Sequence, residues 1–325
     1  MSCPTCPARS LFRSFGLNAD SSTCTTDNCR GGDTPPCQQS EDDSWVGEVL
    51  DRRYVLCRRL HDGERGHIYE AQSLSSPKRF AIKIIDEAVD TYHWGTVRSR
   101  NPHLVQIIDI LRLESGETAL VLPLITGVPL SVYIRDEGPL ESDQALKLGH
   151  QLASALLSLH LEDHLHGDVH PANVLIETLP SGELFAHLLN ASWGRTMGTG
   201  PMKCDADPLL YTPPEELLGQ SPDEEADIYS LGAVLHFMLT GTSPFAPGQR
   251  EVVTQTILNG MALPKSPQDS LTWWLATLMA RDGRHRPKSM RQVISRLSEL
   301  RQSLDCNRLS GPPLARGLDL RTAAR

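Results

Sequence analysis

One short stretch concentrates residues able to do chemistry. His166-Gly167-Asp168-Val169-His170-Pro171-Ala172-Asn173 runs into the apolar Val174-Leu175-Ile176. A carboxylate, a proline and an amide five residues after the carboxylate fit on one tight loop. Such a loop holds a proton acceptor and a cation-ligating amide together, a pairing suited to phosphoryl transfer. The plainer alternative is an Asp and an Asn capping turns in a polar loop.

The elements around the loop must position it. Ser142 is a good N-cap, with Asp143 in the first turn. Ala145, Leu148, Leu152, Ala155, Leu156 and Leu159 then mark one face of a helix that leads to the loop and packs under it. Beyond the loop, Pro180-Ser181-Gly182 is a hairpin turn before a strand over Phe185 to Leu189. Upstream, Tyr54-Val55-Leu56 opens a strand. Val105 to Ile110 and Thr118 to Leu122 read as two more, joined at Ser115-Gly116. Downstream, Ala226 to Leu239 is apolar nearly all round, as in a buried central helix. Asp227 at its start is costly to bury unless it is bonded. The last helix ends near Leu304.

Composition narrows the class. A chain of 325 residues suffices for a two-lobed domain with tails. The formal net charge of -9 disfavours a nucleic-acid surface. No apolar run approaches the roughly 20 residues that span a bilayer, and Met1 to Asn18 lacks an apolar leader core. From these features a soluble, cytoplasmic protein is expected. Residues 1–44 are rich in Ser, Thr, Pro, Gly and Asp and read as a flexible extension. Residues 305–325 read as a disordered tail. Five of the eight cysteines lie in the first 37 residues. Cys3, Cys6, Cys24 and Cys29 would supply four thiolates to a zinc ion. The alternative is an unstructured arm with free thiols.

The loop resembles the H-R-D-x-K-P-x-N catalytic loop of eukaryotic-like, bacterial-type Ser/Thr protein kinases. That resemblance makes Asp168 the base that accepts the substrate hydroxyl proton and Asn173 a Mg²⁺ ligand. Other stretches carry it across about Tyr54 to Leu300. His61-Asp62-Gly63-Glu64-Arg65-Gly66-His67-Ile68-Tyr69 is similar to a glycine-rich loop over ATP, with His61 in place of the first glycine. A hairpin with two turn glycines is equally compatible. Phe80-Ala81-Ile82-Lys83 resembles V-A-I-K, which makes Lys83 the partner of the α- and β-phosphates; otherwise it is a solvated strand tip. Gly63, Gly66, Ile68, Ala81, Leu122, Pro123 and Ile125 would line the nucleotide site, with Pro123 to Gly127 as hinge. Tyr211-Thr212-Pro213-Pro214-Glu215-Glu216-Leu217 resembles Y-x-A-P-E-x-L, and Ala226-Asp227-Ile228-Tyr229-Ser230-Leu231-Gly232 resembles the D-x-Y-S-L-G helix. The family has a buried pair between the A-P-E Glu and a later Arg, here Glu215 and Arg286. It also has an Asp that accepts catalytic-loop N–H groups, here Asp227.

The implied fold is α+β and two-lobed, with a mostly β N-lobe at 45–122, the hinge at 123–127 and a mostly α C-lobe at 128–304. Several groups depart from the family. Where D-F-G is expected the chain reads Asn190-Ala191-Ser192-Trp193-Gly194; either Asn190 or, two residues on, Ser192 takes the acid's place, and Asn190 would be a weak metal ligand. The 17 residues from Ile84 to Arg100 place no Glu in register to pair with Lys83; Glu87 and Asp90 fall near, and the expected position is Tyr92. The loop Lys is His170, the Arg is Gly167, and the substrate-side Thr is Pro208.

Three readings follow. The first is an ATP-binding pseudokinase or signalling scaffold with weak or absent transfer, whose partners are a nucleotide and a signalling protein. The second is an active divergent Ser/Thr kinase using ATP and Mg²⁺ on a protein substrate. The third is a small-molecule phosphotransferase, since the H-G-D-x-H-P-x-N form also resembles aminoglycoside and choline kinases.

Overall fold

A computed structural model describes residues 44–63, 66–85, 99–189, 207–260 and 270–310. Cys3, Cys6, Cys24, Cys29, Glu87, Asp90, Tyr92 and Asn190 lie outside these residues. The chain divides into two compact units, one built from the stretch up to Val97 together with Val105–Val128, the other from Arg98–Leu104 and Pro129 onward.

The first unit is a six-stranded sheet. Its strands are β1 (Val49–Leu50), β2 (Tyr54–Gly63), β3 (Gly66–Ser73), β4 (Arg79–Ile85), β6 (Asp109–Arg112) and β7 (Thr118–Pro123), in the order β1-β2-β3-β4-β7-β6. β5 (Leu104–Val105) belongs to a different sheet. Alternation decides the faces. Tyr69, Ala71, Ile82, Ile84, Ala119 and Val121 are fully buried and form the core with Leu56, Tyr54 and Leu111. The predicted strand over Val105 to Ile110 is broken: pairing stops at Val105 and resumes at Asp109. The Ile108 N–H still reaches the Val121 carbonyl at 2.7 Å, while Ile108 itself is exposed. Two apolar residues before Asp109 look like strand in sequence but do not both find a buried face. The turn at Gly116, with φ +105, is as expected.

Among the described residues, Glu70 carries this unit's buried charge. Its side chain is 5% exposed, and it binds Arg58 Nη2 at 2.5 Å and Arg79 Nη1 at 2.8 Å. Two guanidinium groups answer the desolvation of one carboxylate.

The second unit is mainly helical. α1 (Leu130–Glu137) and α2 (Ser142–His160) precede the loop, and α3 (Pro214–Leu217), α4 (Glu224–Thr240), α5 (Arg250–Asn259), α6 (Ser270–Leu278) and α7 (Met290–Ser310) follow. A small sheet pairs β9 (Val174–Thr178) with β10 (Leu184–Leu189) through the expected hairpin, closed by Leu179 and Glu183. β5 and β8 (Val128–Pro129) flank that pair. α2 starts one residue earlier than its capping signal: Glu141 is the cap residue and makes no side-chain cap bond, so Ser142 is the first helical residue. α4 is buried from Ala226 to Met238 on every side, is capped by Asp223 and ends on left-handed Gly241. α7 runs to Ser310, beyond Leu304. A β-rich unit and a helical unit together give the α+β, two-lobed architecture. No helix among the described residues is long and apolar enough to cross a membrane.

Candidate active site

α2, β9 and α4 hold the loop between them. His166 is buried, and its N–H donates to Asp227 Oδ2 at 2.9 Å; the Gly167 N–H donates to Oδ1, also at 2.9 Å. Asp227 therefore holds two successive amides of the loop with one carboxylate, as the family resemblance implied. His160, at the end of α2, sits with Nε2 2.8 Å from the same Asp227 Oδ2. Burial pushes the Asp227 carboxyl up, but the His160 hydrogen bond and the loop amide hold it below the ordinary value.

His166 has its own two-sided lock. Nε2 lies 2.7 Å from the Leu189 carbonyl, and Nδ1 accepts the Asp168 N–H at 3.2 Å. One nitrogen donates and the other accepts, so the ring is neutral. Burial pushes it below its ordinary value, with Asp227 pulling the other way. Gly167 takes φ +69, a conformation that favours glycine over the family's arginine.

Asp168 and Asn173 are brought together. The 3-10 turn Pro171–Asn173 closes the loop, and Asn173 Nδ2 donates to the Asp168 carbonyl at 2.9 Å and to its Oδ2 at 3.1 Å. Asn173 thus turns its amide nitrogen into the loop and keeps its oxygen as the atom suited to a cation. The Asp168 side chain is 34% exposed, open enough to meet a substrate. His170, where the family has Lys, is buried with Nε2 3.7 Å from Asp168 Oδ2.

The nucleotide candidates of the first unit share one sheet face. Ile68 pairs with Lys83, Lys83 with Leu120, and Ala81 with Leu122. Ile68, Ala81, Lys83 and Leu122 therefore lie opposite the face that forms the core. Lys83 is mid-strand between two buried isoleucines rather than at a solvated tip. Pro123 ends β7 opposite Phe80, and Ile125 is half-buried beyond it. Gly63 and Gly66 are paired to each other, so two residues join β2 to β3. Gly66 has a sheet role: at φ +117, a Cβ there would lie 1.9 Å from the Ile84 carbonyl oxygen.

The described residues fit a cation only in part. They supply the Asn173 amide oxygen and the nearby Asp168 carboxylate. They contain no group of three or more His, Cys, Asp or Glu arranged to hold a metal.

Comparison with known proteins decides the family. The profile described as "Protein kinase domain" matches residues 54–304. The chain belongs to the protein kinase family. It is 27% identical over 250 residues to "Serine/threonine-protein kinase PknE" of Mycobacterium tuberculosis, covering 70% of this chain and 42% of that protein. It is 26% identical over 272 residues to "Serine/threonine-protein kinase PknK" of Mycobacterium bovis, covering 78% of this chain and 24% of that one. A 197-residue match at 30% identity to "Probable serine/threonine-protein kinase zyg-1" of Caenorhabditis briggsae covers 59% of this chain and 27% of that protein. The chain thus spans under half the length of each of these relatives. The structure adds residues that the sequence reading passed over. His160 is a polar group held in the interior, and Glu70 anchors the first unit. The signal for His160 was present: it adjoins Leu156 and Leu159 on the buried side of α2.

Proposed function

We propose that this is an ATP-binding protein-kinase domain whose phosphoryl transfer is weak or absent, and that it acts through a protein partner. One contrast carries the reading. The groups that hold the loop are complete, namely Asp227, His166 and Asn173. The groups that act on phosphate are depleted: His170 replaces Lys, and Asn190 replaces the acid of D-F-G. At about 4 Å and an effective dielectric near 20, a missing unit charge forfeits about 4 kcal/mol against each unit of opposing charge. That loss falls on metal binding first. ATP supplies the phosphoryl group when bound; Lys83 would meet its α- and β-phosphates, Ile68, Ala81, Leu122, Pro123 and Ile125 its base, and Asp168 would take the hydroxyl proton.

An active Ser/Thr protein kinase remains the second reading, favoured by the ordered and partly exposed Asp168 carboxylate. Labelled γ-phosphate offered in Mg²⁺ and in Mn²⁺, with Asp168→Ala as control, separates the two. Incorporation that vanishes in the control establishes the active kinase. A thermal shift by ATP without incorporation, lost in Lys83→Ala, supports the nucleotide-binding scaffold. Absence of both leaves neither reading standing. Zinc on Cys3, Cys6, Cys24 and Cys29 belongs to the same proposal only if the purified chain returns about one zinc ion, as a four-thiolate site requires.

A further inference from the structure

We propose that His170 is a positioning residue: its Nε2–H points at the Asp168 carboxylate and fixes the carboxylate's orientation. The inference rests on the reading of Asp168 as the base and adds the residue that orients it.

His170 stands in extended backbone, φ -152 and ψ 164, just before the turn Pro171–Asn173. Its carbonyl accepts the Asn173 N–H at 2.9 Å, which ties it to the second loop residue that touches Asp168. The ring is nearly enclosed, with 9% of the side chain exposed. Nδ1 is buried and has no hydrogen-bond partner among the described residues. Nε2 lies 3.7 Å from Asp168 Oδ2.

These facts select one tautomer. A proton on Nδ1 would bury an unpaired N–H and aim the Nε2 lone pair at a carboxylate. A proton on Nε2 leaves only a lone pair unpaired at Nδ1 and sends the N–H toward Asp168. A buried N–H left unpaired is costly, and the second arrangement also turns a dipole the favourable way. At 3.7 Å the contact is longer than a hydrogen bond. Contacts of this kind are commonly long without substrate and tighten once it binds.

Asp168 Oδ2 is then addressed from two sides, by Asn173 Nδ2 at 3.1 Å and by His170. Two donors on one oxygen fix rotation about the carboxylate's Cβ–Cγ bond and hence the direction in which Oδ1 faces. Lysine at this position would carry its charge on a longer, flexible stem. Histidine is shorter and its ring turns back onto Asp168. The loop thus gives up a phosphate contact and gains a constraint on its base.

Two measurements test this on the full chain. The first is the ring ¹⁵N spectrum of histidine-labelled protein near pH 8, a pH at which an ordinary imidazole is neutral. The expected result is the Nε2–H tautomer at His170, with its Nε2 resonance displaced by Asp168→Asn. The Nδ1–H tautomer, or no displacement, overturns the proposal. The second compares γ-phosphate transfer by His170→Gln, whose amide nitrogen reaches the place of Nε2, and His170→Leu. Leu should lower kcat at least roughly tenfold, as misplaced catalytic groups do, with KM for ATP unchanged, and Gln should regain most of the loss. Equal loss in both, or a loss confined to KM, overturns the proposal. If the unaltered chain shows no transfer, the transfer reading fails by itself, and the ring spectrum still decides the tautomer.

Discussion

Arg286 and Glu215 meet in a two-pronged ion pair, Nη1 to Oε1 at 2.6 Å and Nη2 to Oε2 at 2.9 Å, with the guanidinium fully enclosed. The same guanidinium donates to the carbonyls of Ala280, Glu225 and Arg281 and lies over the Tyr229 ring. Arg286→Ala strands a carboxylate and three carbonyls. The expected cost is about 3–5 kcal/mol, read as a lower urea midpoint. A midpoint equal to that of the unaltered chain would show that the pair holds nothing.

Asp227→Asn keeps the shape of the side chain but exchanges one acceptor for a donor. Either His166 and His160, or Gly167, then faces an NH₂ group. Losing hydrogen bonds to a charged acceptor costs about 1.5–3 kcal/mol each, so a loss of at least about 2 kcal/mol is expected. Amide exchange should rise first at 166 and 167. Exchange spread evenly over the chain would rule out a local clamp.

Acid should weaken the fold through its histidines. Burial holds His166, His103, His150 and His236 below the ordinary value of 6.5. The folded chain binds these protons less readily than the unfolded chain. Their contribution is complete above that ordinary value and declines as pH falls through it toward the depressed values. His166, wholly buried, adds at most about 1.4 kcal/mol for each pH unit of that window. The urea midpoint should therefore drop as pH falls through about 6.5, at constant slope. A flat profile would contradict the enclosed rings.

Gly66→Ala tests which duty the second glycine performs. The new Cβ would lie 1.9 Å from the Ile84 carbonyl oxygen, at a φ of +117. β3 and β4 must separate, and a loss above about 3 kcal/mol is expected even without nucleotide, beyond ordinary overpacking. If stability holds and only ATP binding suffers, the glycine serves the ligand instead.

Long-range pairs proved legible where two motifs each carried a charge with a known counterpart. Glu215 with Arg286, and Asp227 with the loop, are separated widely in sequence yet followed from the family resemblance of their motifs. Local boundaries were less legible. Ser142 has the chemistry of a cap, but the chain turns one residue earlier, at Glu141. Ile107 and Ile108 have the apolarity of a strand but fall between β5 and β6. Glu70 was hidden because its two arginines, Arg58 and Arg79, come from the neighbouring strands on either side, and their approach depends on register and on the bulge in β2 at Cys57. His170 was visible as a missing lysine, but the direction of its ring depends on the turn at Pro171.

The enclosure of α4 bears on how the protein emerges from synthesis. The helix that carries Asp227 is covered by α2, which precedes it, and by α6 and α7, which follow. The ribosome releases α2 and the loop long before α6 and α7. Until those last helices arrive, α4 has an uncovered apolar side and Asp227 lacks its sealed setting. The loop around Asp168 can therefore become fixed only after α6 and α7 have emerged, and a nascent chain halted before 270 would present α4 to chaperones rather than an ordered loop.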